Sequence, residues 1–224
     1  MAPEAAQGGR SRRPLVYQGT ALQCTRRFED EARASGHAAV AGLDEVGRGA
    51  LCGPVLACAV ILGERFDTSG LDDSKRLTAR QREALATRIT ASAIACSLGS
   101  ADPLEVDRIN ILEATYLAMR RAVAGLPAAP DALLVDGFEV PGLAVPQRAI
   151  VKGDALSVSI AAASVMAKVT RDAMMREWDE RYPGYGLARN MGYASRDHRE
   201  ALRRMGPSAI HRRSFQGTQR WLFS

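Results

Sequence analysis

The sequence predicts an α/β protein: a mixed β-sheet flanked by helices, ending in a helical, basic C-terminal part. Short apolar runs rich in β-branched or small residues alternate with stretches of helical spacing, the pattern of strands and helices layered on one core. Three of those runs end in carboxylates, at GLDE, LLVD and IVKGD. The positive charge gathers late in the chain. From Leu187 onward eight arginines stand against Asp197 and Glu200, a net +6, which leaves −1 for everything before it in a chain of +5.

Residues 1–37 read as an N-terminal extension, with the first dozen, rich in Gly, Arg, Ala and Pro, expected to be disordered. The main domain then spans 38–224. AVAGLDEV and PVLACAVIL are two adjacent strands joined by a glycine-punctuated turn. Thr78 is the N-cap of a helix, with TARQ at capping-box spacing and Leu85 and Ile89 facing inward, before a strand at IACSLGS. A short helix after Pro103 precedes a longer one, NILEATYLAMRRAVAGL, in which Ile111, Ala114, Leu117, Ala118 and Arg121 keep helical spacing until Gly125 and Pro127. ALLVDG and RAIVKGD are two more short strands. The long run from about Ser157 to Tyr182 is a helix whose Ala- and Ser-rich first half lets a neighbouring backbone approach closely. A glycine-rich loop to Tyr193, then a helix capped by Ser195 and stopped by Pro207, complete the C-terminal part, about 187–224.

Composition narrows the function. A chain of 224 residues with 46% hydrophobic content can fill a large core, and 25% charged residues argue against wholesale disorder. No apolar run approaches the ~20 residues that cross a bilayer, which excludes a helical membrane protein. MAPEAAQGGRSRRP lacks the apolar stretch of a secretory signal, and Cys24, Cys52, Cys58 and Cys96 lack paired metal-ligand spacing. A cytoplasmic protein with reduced, structural cysteines is expected. A localised basic surface suits a polyanion such as nucleic acid, although a charge run is more often only a solvated face.

The carboxylates are Asp44 and Glu45 in GLDEVGRG, Asp136 in LLVDG and Asp154 in VKGD. Singly, each Asp is a turn former. Four at strand ends, with no histidine or cysteine beside them, favour a hard oxygen-seeking cation, Mg²⁺ or Mn²⁺, over zinc. Neighbours on a regular strand point to opposite faces, so the strand is expected to end or twist at Asp44 and Glu45, where Gly47 and Gly49 follow. A two-metal site, with ions ~3.5 to 4 Å apart, is wide enough to collect ligands from different directions.

GLDEVGRGALCGPV, LDDSKRLT, INILEATYLAM, LLVDG, IVKGD, AAASVMAKVTRD, YGLARNMGY and HRRSF, in that order and spacing, closely resemble bacterial type 2 ribonuclease H, ribonuclease HII, over about residues 38–216. The resemblance implies a ribonuclease H-like fold and metal-dependent cleavage of the RNA strand of RNA/DNA hybrids, including single ribonucleotides embedded in duplex DNA. Cleavage would fall 5′ to the ribonucleotide, leaving 3′-hydroxyl and 5′-phosphate ends. By position Asp44, Glu45, Asp136 and Asp154 match the family's catalytic, metal-binding acids, holding two ions of Mg²⁺ or Mn²⁺ during turnover.

The same resemblance places substrate-binding residues. Gly47, Arg48 and Gly49 match the segment that reads the 2′-hydroxyl and the junction with DNA, and Tyr193 the tyrosine that stacks on the sugar beyond it. Asn110 falls in the matched INILEATYLAM segment. Lys75, Lys152 and Lys168 are the only lysines beside 27 arginines, and all three lie in matched motifs, where a compact ammonium suits a phosphate contact or a bridge to the acidic cluster. The chain departs from the family pattern at Asn190 and Met191, where a His-Lys pair is frequent, and at Asp72, where Asn is common. The implied partners are RNA/DNA hybrid and ribonucleotide-containing duplex DNA, with no membrane and a monomeric enzyme. Two rivals stand: another nuclease or resolvase on the same fold, and a non-catalytic nucleic-acid-binding protein whose carboxylates only form turns.

The C-terminus, Gln219-Arg220-Trp221-Leu222-Phe223-Ser224, has two readings. Its apolar residues could close onto the core, as terminal aromatics commonly do. Alternatively, Q-R-W-L-F partly resembles the short motif with which replication and repair proteins grip the bacterial sliding clamp, with Arg220 where Leu is usual.

Overall fold

The structure is a computed structural model and describes residues 23–218. The disorder expected of the first dozen residues, and both readings of residues 219–224, lie outside the described residues. Five strands form one mixed sheet in the order β3-β2-β1-β4-β5: β1 (Val40–Val46), β2 (Val55–Ile61), β3 (Ala95–Ala101), β4 (Ala132–Asp136) and β5 (Gln147–Ile150). The first three are antiparallel neighbours, while β4 and β5 run parallel to β1.

Both faces of the sheet are covered, which is why β2, VLACAVI, is apolar throughout and buried at all seven positions. On one face α3 (Pro103–Ala124) packs Ala114, Ala118, Met119 and Ala122 against Leu43, Val55, Ala57 and Ile61. On the other, α2 (Ala79–Ser92) and α4 (Val158–Arg181) bring Leu85, Ile89, Ala161, Ala162 and Val165 against Cys58 and Val60. The capping box expected at Thr78 is formed with Gln81. The two helices expected after Pro103 are present within α3, parted at Asn110, whose φ of 69° breaks the first and whose Oδ1 caps the second by accepting from the Leu112 and Glu113 N–H groups. Past α4, the short α5 (Leu187–Asn190) sits in the expected loop, and α6 (Arg196–Met205) begins at Ser195, as its capping side chain predicts.

One helix was not legible in the sequence. Within the segment set apart as an extension, α1 (Arg27–Ala34) inserts Phe28 among Val40, Leu134, Ile150, Leu156 and Ile160. Its Glu29 is 1% exposed and lies at the start of α4, where Oε1 accepts from the Ser159 N–H at 2.9 Å and from the Ser157 and Ser159 hydroxyls at 2.5 Å each. A carboxylate there answers the unpaired N–H groups and the positive end of the helix dipole. The core therefore reaches back at least to α1, before residue 38.

The small residues of α4 do allow the close approach the composition suggests. Gly42 in the middle of β1 has so little space that a Cβ would lie 2.1 Å from the Ser159 carbonyl carbon. Backbone cannot yield as a side-chain tip would. Gly42→Ala should therefore lose about 1–3 kcal/mol or more of stability, the cost of overpacking a core, seen as a lowered urea midpoint with an unchanged slope.

Candidate active site

The functional end of the sheet is made by an unequal parting of strands. Pairing of β1 with β2 continues to Val46↔Leu56, but pairing with β4 stops at Leu43↔Val135. Of the end or twist expected at the acids, the strand does not end there; it runs on to Val46, and only its ladder with β4 stops. Asp44 and Glu45 lie just beyond that fork, so side chains from opposite faces can reach the same opening. Asp44 faces α4 beside Ser164, whose hydroxyl is 2.9 Å from that of Ser74. Glu45 pairs with Arg48 at 3.4 Å. Both carboxylates line a cavity of about 360 Å³ together with Val46, Ser74, Lys75, Ser164, Lys168 and Tyr193.

Asp136 ends β4, and its Oδ1 accepts from the Gly153 N–H at 2.6 Å. Asp154 is not at a strand end, as the sequence suggested, but in a single 3-10 turn, Gly153–Ala155, that follows β5 after a left-handed Lys152. That turn folds Asp154 back toward Asp136. Lys75 Nζ reaches Asp154 Oδ2 at 3.1 Å and Asp73 at 3.7 Å. Burial pushes its ammonium down, but the hydrogen bond and charge of Asp154 outweigh that and hold it above the ordinary lysine range.

The acids crowd one another. Burial, then the charges of Glu45 and Asp136, push the Asp44 carboxyl well above the usual range. Burial raises Glu45 against the opposing pull of Arg48. Asp136 is pushed up to about 6, first by burial and then by the charge of Asp154. Arg48 and Lys75 answer only part of this charge. An all-carboxylate, partly buried donor set whose members repel one another is suited to a hard divalent cation.

Two buried arginines that the sequence reading passed over hold the turn after the acids. Arg171, from the AKVTRD segment of α4, donates to the Pro54, Met191 and Cys52 carbonyls. Arg212, from HRRSF, donates to Gly53 and Arg48 at 2.9 and 2.8 Å. Neither is paired with a carboxylate by these bonds; both act as frames for backbone. Gly47 has φ +91°, and a Cβ there would meet Arg171 at 2.3 Å, so glycine is required by both conformation and space. At Gly49 a Cβ would meet nothing within 4 Å.

The other predicted positions fall as follows. Tyr193 is 37% exposed, bridges Ala50 through its backbone, and has the Arg171 guanidinium 5.5 Å from its ring centre. Lys168 lines the cavity and pairs with Asp172 at 2.6 Å. Lys152 and Asn110 are exposed and do not line the cavity. Asp72 pairs with Arg76 at 3.2 Å, so its additional charge is met within its own turn. Asn190 bonds Tyr185 and Gly192, and Met191 is left-handed with its carbonyl on Arg171, so both departures serve the loop.

Beneath Tyr193 lies a histidine pair. The Ser208 N–H donates to His211 Nδ1, the two Nε2 atoms are 3.1 Å apart, and His198 Nδ1 is 2.9 Å from the Tyr193 carbonyl. These partners fix neutral tautomers: His211 Nε2–H donates to His198 Nε2, and His198 Nδ1–H donates to Tyr193. Cys52 Sγ lies within 4.8 Å of the ring nitrogens, but every nitrogen is already committed, and the positive charges of Arg171 and Arg212 act on the same cysteine.

A carboxylate cluster thus sits at the forked end of a mixed, helix-covered sheet, with open backbone beside it, on a fold that the following likenesses identify as ribonuclease H-like. The ribonuclease HII family model matches residues 41–218. Ribonuclease HII of Desulfitobacterium hafniense strain Y51 is 51% identical over 207 residues, covering 92% of this chain and 80% of that one. Among solved structures, ribonuclease H2 of Pyrococcus horikoshii OT3 superposes with a TM-score of 0.69 at 27% identity, over 81% of this chain and 95% of that one. Ribonuclease HII of Archaeoglobus fulgidus, solved in complex with PCNA, gives 0.66 at 25% identity, over 79% and 95%. The chain belongs to the ribonuclease HII family and is an endoribonuclease. Among the described residues no helix is long and apolar enough to cross a membrane.

The histidine pair carries a pH dependence. Burial holds His198 below the ordinary range, and burial with the neighbouring ring lowers His211 to about 4. Unfolded histidines therefore bind more protons than folded ones between about 6.5 and 4, and stability falls with pH across that window. The raised Asp44 and Asp136 carboxyls act with the opposite sign, gaining stability as pH falls, so the histidine contribution is read by comparison: from pH 7 to pH 5 a His211→Asn variant, already less stable at pH 7, should show a smaller downward shift in melting temperature than the native chain.

Proposed function

We propose that this endoribonuclease cuts duplexes containing ribonucleotides on the 5′ side of the ribonucleotide, on long RNA/DNA hybrids and at single ribonucleotides in DNA. The observation that carries the reading is the convergence of Asp44, Glu45, Asp136 and Asp154 beyond the fork of β1 and β4. These four side chains would hold Mg²⁺ or Mn²⁺, which supplies Lewis-acid activation of water and neutralises charge at the leaving oxygen.

The rest is the work of the chain. Lys75 and Arg48 temper the charge of Asp154 and Glu45. The turn at Arg48 is pinned by Arg212, and the empty space at Gly49 lets a sugar edge meet backbone directly, as reading a 2′-hydroxyl requires. Tyr193, half exposed at the cavity, offers a ring for the sugar beyond the junction. Lys152, Lys168 and Asn110 are assigned to the substrate groove on the family resemblance. His198 and His211 are committed to the fold, and His37 precedes β1 at the end away from the acids, so no histidine serves attack by the 2′-hydroxyl. That favours 3′-hydroxyl and 5′-phosphate products. Backbone contacts by the arginines after residue 187 would make binding strongly salt-dependent.

The test is cleavage of three labelled duplexes, one with a single ribonucleotide, one hybrid and one all DNA, with Mg²⁺, Mn²⁺ or EDTA. Cutting of the all-DNA duplex would favour a resolvase-like rival, and cutting in EDTA would remove the metal. We further propose that residues 219–223 tether the enzyme to a sliding clamp. The reading is supported by the PCNA complex of the Archaeoglobus relative and by the anchoring of Thr218, whose hydroxyl bonds Arg212 and Phe215 just before the tail. A tether would raise the effective concentration of the enzyme on DNA.

Four outcomes are expected. Asp136→Asn should reduce turnover by more than about a hundredfold, beyond what loss of a supporting residue costs, and should keep hybrid binding. Mg²⁺ should raise the melting temperature of the native chain more than that of this variant. Tyr193→Ala should impair cutting at a single ribonucleotide more than on continuous hybrid, whereas equal losses would reduce the ring to packing. Deleting 219–224 should leave melting temperature and basal activity unchanged while abolishing clamp capture; a markedly lower melting temperature would place the tail in the core.

A further inference from the structure

Two of the four cysteines meet outside the machinery described above. Cys58 on β2 and Cys96 on β3 have sulfurs 3.6 Å apart. In the ladder Cys58 faces Leu98 and Cys96 faces Val60, so the two lie diagonally on the same face, the one covered by α2 and α4. Both are free thiols, Cys58 fully buried and Cys96 partly exposed. On its other side Cys58 is directly opposite Asp44.

We propose that Cys58 and Cys96 are a peroxide-responsive dithiol, closing to a reversible disulfide that bears on the strand backing Asp44. Contact distance and asymmetric exposure assign the order of events. Peroxide reaches Cys96, the partly exposed residue of the pair, first. The Cys96 thiolate attacks a peroxide oxygen, the O–O bond breaks, and hydroxide leaves with a sulfenic acid on Cys96. That hydroxide takes the Cys58 proton to become water. The Cys58 sulfur then attacks Cys96, forming the S–S bond as the S–O bond breaks, and the second hydroxide leaves and is protonated. Two electrons pass from the thiols to peroxide, which ends as two waters, and a dithiol reverses the bond.

The local electrostatics agree with that order. The hydrogen bond given to Cys96, followed by burial and the charges of Cys96 and Asp44, holds the Cys58 thiol high, while accepting that bond lowers Cys96. The remaining thiols are poor competitors, because burial pushes Cys24 up to about 12 and Cys52 to about 11. Closing the bond draws the two sulfurs in from 3.6 Å to ~2.05 Å, and the displacement falls on the β2 residue paired with Asp44.

The experiment treats the full chain with hydrogen peroxide, blocks residual thiols with an alkylating agent, and maps peptides without reduction. The expected result is one cross-linked pair, Cys58 with Cys96, two hydrogens lighter than the separate peptides. It should be accompanied by a several-fold loss of turnover that dithiothreitol restores. Cys96→Ala should abolish both the cross-link and the peroxide sensitivity, and Cys58→Ala should send Cys96 on to its sulfinic acid. A cross-link through Cys24 or Cys52, or oxidation of Cys96 beyond sulfenic acid with Cys58 left as a thiol in the native chain, would overturn the pairing. A Cys58–Cys96 disulfide with unchanged turnover would overturn the coupling to Asp44. Mapping does not depend on the substrate assigned above, so it separates failure of this inference from failure of that assignment.

Discussion

Four carboxylates held close together repel one another, and the surrounding architecture is arranged to hold them in spite of it. Asp44 and Asp136 are kept from relaxing apart because each is the continuation of a buried strand, and Asp154 because its turn donates backbone N–H to Asp136. The compensating cations are few and lie at the margin: Lys75 is largely exposed, and Arg48 turns toward Glu45. The cluster is therefore kept underneutralised, and burial rather than pairing is the larger cause of the raised acidities.

The second requirement is rigid backbone beside those acids. Turns are usually loose because they run over the surface with their carbonyls in water. Here the carbonyls from Arg48 to Pro54 are gripped from below by Arg171 and Arg212, and the Tyr193 segment by the same Arg171 through Met191. A guanidinium presents several donors in a fixed plane, so a single residue sets the spacing of two or three carbonyls. The two segments that flank the cavity thus share one support, and the histidine pair extends it to Ser208.

Much of this was legible in the chain. Apolar runs and helical spacing place the five strands and the long helices, and the carboxylates at LDE, LLVD and IVKGD point to the acidic centre. What escaped was tertiary in origin. Nothing local tells that β1 leaves β4 after Leu43 while keeping β2, since that depends on where two distant strands diverge. Asp154 follows an apolar run and so reads as a strand end, yet a left-handed Lys152 starts a turn there. The charged composition of RFEDEARA hides the inward role of Phe28 and Glu29, because the partners of the Glu29 Oε1 lie 128 and 130 positions away. Arg171 and Arg212 lie in the AKVTRD and HRRSF motifs, but an arginine looks like a surface charge until its carbonyl partners are known.

The placement of α1 bears on what counts as the folding unit. The family resemblance captured by the sequence model begins at residue 41, yet the start of α4 is completed by Glu29, and Phe28 fills a core position beside β1 and β4. A boundary drawn at residue 41 would cut off the acceptor for two buried hydroxyls and a helix N–H beside the segment that presses on Gly42. The family model marks the stretch that carries the shared pattern, whereas cooperativity is marked by where buried groups find their partners. In this chain the two limits differ by more than the length of a helix.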